Sequence, residues 1–186
     1  PDDSVNKNRA LFSLGYMHVS SNRFKEGESF LKQVLERDKG YVPQAVDLAE
    51  AIVDRERWEE AARLLSLVLD TEPGQGRALF LLGRSYLQMH RFNQAVVSLN
   101  RLLEVDPDHM QAHFFLGKSY KGGGQLDLAI QHFQKFKDLQ KKAKDLFADE
   151  LDPKTVNNNL FVGNTSELTK LMGGTARDVP SGKSKI

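Results

Sequence analysis

Residues 76–109 read GRALFLLGRSYLQMHRFNQAVVSLNRLLEVDPDH, and the spacing of apolar and small side chains in this stretch decides the fold. Leu79, Leu82, Gly83 and Tyr86 follow the i, i+3, i+4, i+7 rule of a single buried helix face. A short polar turn at His90 and Arg91 comes next. The helical period then resumes with Phe92, Ala95, Val96, Leu99, Leu102 and Leu103. Pro107 stops this second run, because proline lacks a donor N–H and its ring clashes inside a helix. The stretch therefore predicts a helix, a tight turn and an antiparallel helix. Gly83 and Ala95 fall where the two backbones approach, and a larger side chain there would wedge them apart.

Outward from this stretch, the same pattern recurs with a fixed step. ALFSLGYM, AVDLAEAI, ALFLLGRSY and AHFFLGKSY begin at Ala10, Ala45, Ala78 and Ala112. The small residues Gly15, Ala49, Gly83 and Gly117 are 34 apart, as are Gly27, Ala61, Ala95 and Ala129. A bulky row, Phe24, Trp58, Phe92 and Leu126, keeps the step, and so does Leu14, Leu48, Leu82 and Leu116. Four copies result (8–41, 42–75, 76–109 and 110–143), with residues 1–7 as a lead-in. One helix pair cannot bury its apolar face alone, so the copies are expected to stack around a shared core.

Leu-Gly, Tyr, then Ala, a bulky apolar residue and Pro resembles the tetratricopeptide repeat, over about three quarters of the chain. Copies three and four match best. Copy one has His18 in place of Tyr and Lys39 in place of Pro, while copy two has Ala49 for Gly and Ile52 for Tyr; these are expected to be tolerated. The resemblance implies an all-α, right-handed superhelical solenoid of four helix-turn-helix repeats. Copy four has Lys141 at the proline position, and the apolar rhythm continues through Phe133, Phe136, Leu139, Ala143 and Leu146. One long helix from about Gln125 to Leu151 is expected, its extension (144–151) acting as the cap that an open solenoid end needs. Residues 152–186 read as an irregular tail with a short helix at 166–172. Its apolar residues Leu160, Phe161, Val162, Leu168, Leu171 and Met172 need a docking surface, here expected on a partner.

Composition excludes several classes of function. The 26 Lys and Arg nearly balance the 25 Asp and Glu, which gives no reason to invoke nucleic acid. No apolar run approaches the roughly 18 residues of a membrane span. Cysteine is absent, which removes disulfides, thiolate metal sites and cysteine nucleophiles. A soluble, cytoplasmic protein is expected. Pro1 in place of Met suggests a piece of a longer chain whose upstream targeting segment is missing. His109 and His113 are four apart, but no third metal ligand accompanies them, and His113 stands where Leu79 packs one copy earlier. Gly182-Lys183-Ser184 lacks the glycine of a phosphate-binding loop five residues earlier, where Arg177 stands. Asn164-Thr165-Ser166 is a formal glycosylation sequon that reads as chance, and the lysines from Lys135 to Lys144 read as a solvated helix face. No catalytic grouping, metal or cofactor is expected.

The resemblance implies that the first helices of the copies line a concave face. On it, register places the row Phe12, Val46, Phe80 and Phe114 beside the row Tyr16, Glu50, Arg84 and Lys118, flanked by Arg9, Arg77, Val53, Leu87 and Lys121. The expected groove is apolar along its floor, acidic near copy two and basic across copies three and four. Its expected ligand is a protein or peptide with apolar and acidic residues. The clamp by which some relatives grip chaperone C-terminal carboxylates does not fit. Its positions hold Phe12, Tyr16, Asp47, Arg77 and Leu81, of which Arg77 alone has the required character; moved on by one repeat they hold Val46, Glu50, Leu81, Gln111 and Phe115. Two functions remain: a scaffold or adaptor that binds a partner segment in the groove, or a structural subunit of a multiprotein assembly that docks through its convex face, long helix and tail.

Overall fold

The computed structural model describes residues 3–150 of the 186, with side chains from Ser4 to Leu146; the expectations placed on residues 151–186, including the tail docking residues, lie outside the described residues. Eight α-helices follow one another, with no strand among the described residues. They are α1 (Asp3–Ser20), α2 (Phe24–Arg37), α3 (Val42–Val53), α4 (Trp58–Thr71), α5 (Gly76–Gln88), α6 (Phe92–Val105), α7 (Met110–Gly122) and α8 (Leu126–Glu150). A 3-10 turn, Lys39–Tyr41, joins α2 to α3. The described residues up to Lys144 belong to one compact unit. The expected lead-in is already helical from Asp3, since nothing from Ser4 to Lys7 breaks a helix.

The turn inside each copy is built the same way four times. Asn22, Glu56, His90 and Gly124 have φ of 64°, 59°, 57° and 77°, in the left-handed region. The next residue then turns its N–H back on the last helical turn: Arg23 to the His18 carbonyl, Arg57 to Ile52, Arg91 to Tyr86 and Gln125 to Tyr120, at 2.8, 3.2, 2.8 and 2.8 Å. This satisfies carbonyls that a helix end would leave unpaired.

Beyond the turn, the two helices of a copy meet where the small residues were expected. A Cβ on Gly15 would lie 2.7 Å from Leu31 Cγ, on Gly83 2.5 Å from Leu99 Cγ, and on Gly117 2.6 Å from Phe133 Cε1. The glycine row lets one row of large side chains cross the first helix. Leu31, Leu65 and Leu99 of that row are fully buried. Each stabilises by about 1.5–3 kcal/mol relative to exposure.

Between copies the packing is not uniform. α4 lies along α5, and α6 along α7, whereas α2 makes its main contacts outside its own copy with α4. The connecting segments differ accordingly. Before α5 and α7 the chain runs through Pro73 and Pro107, and the side chains of Gln75 and His109 accept hydrogen bonds from the N–H groups of Ala78 and Ala112 at 2.9 and 3.1 Å. The equivalent of Gln75 before α3 is Tyr41, whose side chain makes no cap bond. Asp38 Oδ1 accepts from Gly40 N–H at 2.9 Å and winds the segment into the 3-10 turn. α3 is consequently rolled about its axis. It exposes Gln44, Asp47 and Ala51, where α5 buries Ala78, Leu81 and Ser85.

Candidate functional site

The rolling of α3 corrects two of the expected groove residues. Val46 and Val53 are 0 % and 1 % exposed and belong to the core. The surface of copy two on this side is mainly polar, formed by Gln44, Asp47, Glu50 and Asp54 beside Pro43 and Ala51. The remaining candidates all retain some exposure. Arg9, Tyr16, Arg77, Lys118 and Lys121 are exposed, while Phe12, Glu50, Phe80, Arg84, Leu87 and Phe114 are half-buried. Phe12 leans on Tyr41, ring centroids 5.3 Å apart, and so sits apart from the aromatic residues of copies three and four.

Those aromatics form a ledge across α5 and α7. Phe80 meets Phe115 edge-on at 5.5 Å and His109 at 5.3 Å. Phe114 stands edge-on to Phe115 at 5.5 Å and is backed from α8 by Phe136 at 5.2 Å and Phe133 at 6.0 Å. Offset and edge-to-face pairs of this kind hold their rings rigidly. Lys118 Nζ lies 5.3 Å from the Phe114 centroid and 5.9 Å from that of Phe115, in cation–π range. Sequence reasoning missed Phe115 and Phe136. Phe115 shares its row with the buried Leu81, which argued for core, and the signal was the doubled aromatic Phe114-Phe115 where copy three has Phe80-Leu81.

Charge is distributed more narrowly than the sequence suggests. Arg77 reaches back to copy two, with Nη1 2.6 Å from Asp47 Oδ1 and Nη2 bonded to Glu50. The bond to Glu50, opposed by burial and aided by Asp47, holds the Arg77 guanidinium even more firmly charged than usual. Arg77 thus stitches copy two to copy three, and its charge is occupied. Arg84, Lys118 and Lys121 have no carboxylate within ion-pair distance among the described residues. Of these three, Lys118 stands in cation–π range of the ledge, and Arg84 and Lys121 follow Phe80 and Phe114 by about one and two helical turns.

His109, His113 and His132 hold local structure. His109 Nδ1 caps α7, and burial lowers its pKa. His113 Nε2 lies 3.0 Å from the Pro107 carbonyl, and its Nδ1 lies 3.0 Å from Nδ1 of His132. A carbonyl only accepts, so His113 Nε2 carries a proton, and a neutral His113 then accepts from the Nδ1–H of His132. Burial first, and His113 second, lowers the His132 pKa. No group of three or more His, Cys, Asp or Glu suited to a metal occurs among the described residues. Two shallow depressions of about 400 and about 230 Å³ are lined mainly by the turn before α4 and by the second helices, and Glu28, Arg63, Glu59 and Arg91 pair across the smaller. No described helix is long and apolar enough to cross a membrane.

Comparisons with known proteins agree with this architecture. One tetratricopeptide-repeat model matches residues 18–79 and 53–118, and a second matches 111–147. No curated protein matches the sequence. Among solved structures, one described as "MamA R50E mutant" is 25% identical with a TM-score of 0.60, covering 71% of this chain and 96% of its own. Another, "Crystal structure of MamA", shares the fold at 20% identity and a TM-score of 0.57, covering 75% of this chain and 82% of its own. With repeat models matching from residue 18 to 147, from the end of α1 into α8, the chain belongs to the tetratricopeptide-repeat family of protein-interaction scaffolds.

Proposed function

We propose that the face formed by α5 and α7 holds an acidic, partly apolar segment of another protein, and that the chain works as an adaptor through this contact. One observation carries the reading: Lys118, with no carboxylate partner, lies in cation–π range of the half-exposed Phe114 and Phe115, and helical register sets two more such cations, Arg84 and Lys121, beyond Phe80 and Phe114. Rigid aromatics supply contact area at little entropic cost, and exposed aromatic clusters mark binding surfaces. The cations add specificity and speed of encounter for an acidic segment. Copy two contributes selection, because Asp47 and Glu50 outnumber the single Arg77 they hold and repel a uniformly acidic chain. The acidic part of the partner then lies over copies three and four. Arg9, Phe12 and Tyr16 extend the same face towards copy one.

The test is affinity capture with the intact chain, compared with Phe114→Ala and Lys118→Glu variants whose helicity is verified by circular dichroism. Loss of an anchoring aromatic costs about 2 kcal/mol, roughly thirty-fold in affinity. Capture should fall for both variants and weaken as salt is added. A partner retained equally by both variants and at high salt would show that the face is not used, and would favour the reading of a structural subunit.

A further inference from the structure

Register allows the two ends of the array to be compared with its interior. Leu48, Leu82 and Leu116 are 4 %, 5 % and 0 % exposed, whereas Leu14 of the same row is 38 % exposed. Met17 is 48 % exposed in the row where Ser85 and Ser119 are fully buried. In copies three and four this side of the first helix receives the second helix of the preceding copy, α4 on α5 and α6 on α7. At the other end, Leu126 is 59 % exposed, whereas Phe24 of its row is 6 % exposed. Phe92 of that row packs so tightly on the following copy that a Cβ at Gly122 would come within 2.3 Å of its ring. Ile130 is 65 % exposed, although Ala62 of its row is 5 % exposed.

We propose that copies of this chain stack end to end, α8 of one copy lying on α1 of the next. The helix α8 displays the side that α6 buries in α7, and α1 displays the side that α7 buries under α6. They are the two halves of an interface the molecule already builds within itself, which is why a second copy is the occupant. Side-chain sizes fit. Ala10 stands in the row of the buried Ala78 and Ala112, and Ser20 in the row of Gly122, which leaves room for Leu126 where Phe92 lies inside the array. The contact joins unlike faces and leaves one of each free, so it builds an open chain of molecules. With few apolar side chains on each face, assembly is weak and concentration-dependent.

Sedimentation velocity on the intact chain over a wide concentration range tests this. The average mass should climb steadily, without a plateau at the dimer. Ile130→Asp and Met17→Asp, both at exposed positions, should each leave helicity unchanged and hold the chain monomeric. Mixing the two variants should restore association but stop it at two chains, because each retains the face the other has lost. A wild type that stays monomeric at every concentration, a closed dimer, variants that still assemble, or a mixture that remains monomeric would each overturn the proposal. None of these outcomes bears on the α5/α7 face, which uses different residues.

Discussion

Copies two to four repeat one junction, while copy one is attached by another. In the regular junctions a second helix lies along the next first helix, behind a proline and a side-chain cap. Copy one is held instead by α2 against α4, by the Arg63–Glu28 pair and by Arg57 Nη1 at 3.5 Å from the Val19 carbonyl. The repeat models begin to match only at His18, after most of α1. Inside the copy, however, copy one keeps the common plan: its turn, its glycine at the crossing and its buried Leu31 match those of copy three. The period thus encodes the helix pair, and the four residues between pairs decide how one pair meets the next.

Substitution of the same row in both places gives the largest contrast. Leu82→Ala should cost about 2–5 kcal/mol, the range for a buried leucine, and Leu14→Ala under about 1 kcal/mol. Urea denaturation of the two variants checks this, and equal losses would mean that α1 is packed like α5. Smaller effects should come from the turn row, which all four copies share. Gly124→Ala places a Cβ in the left-handed region and should destabilise by about 1 kcal/mol, while His90→Gly relieves that strain and should be neutral or mildly stabilising. Thermal melts that reverse this order would show that the turns are not equivalent.

The ion pair at the irregular junction is partly exposed, so Glu28→Gln should cost less than about 1 kcal/mol. Its signature is local: hydrogen exchange in α1 and α2 should quicken while α4 to α6 keep their protection. Uniform acceleration would mean that copy one does not open by itself. Acid should act weakly and at the opposite end. The pKa values of His109 and His132 are lowered by burial, so below about pH 6.5 the unfolded chain takes up protons that the folded chain resists. Stability should be full above that pH and decline as pH falls towards the folded-state values, with loss of protection centred on α7 and α8. His132→Gln should flatten the decline, and an unchanged slope would remove His132 as its source.

What the sequence determined by itself was everything carried by a helix pair. Rows 34 apart place Gly83 against the second helix, stop α4 and α6 before Pro73 and Pro107, and assign the His109–His113 spacing to structure, because periodicity specifies an angle around one helix axis. What only the tertiary structure decided was where the neighbouring axes lie. Lys39 looked like a tolerated departure, yet without the proline and the cap α3 is rolled, and Val46 and Val53 pass from the groove into the core. Phe115 and Phe136 join the ledge, and Arg77 is spent on Asp47 and Glu50, because each meets a side chain from another element. A side chain's role on a solenoid face depends on both its own helix and the next, and a repeat read in isolation contains only the first.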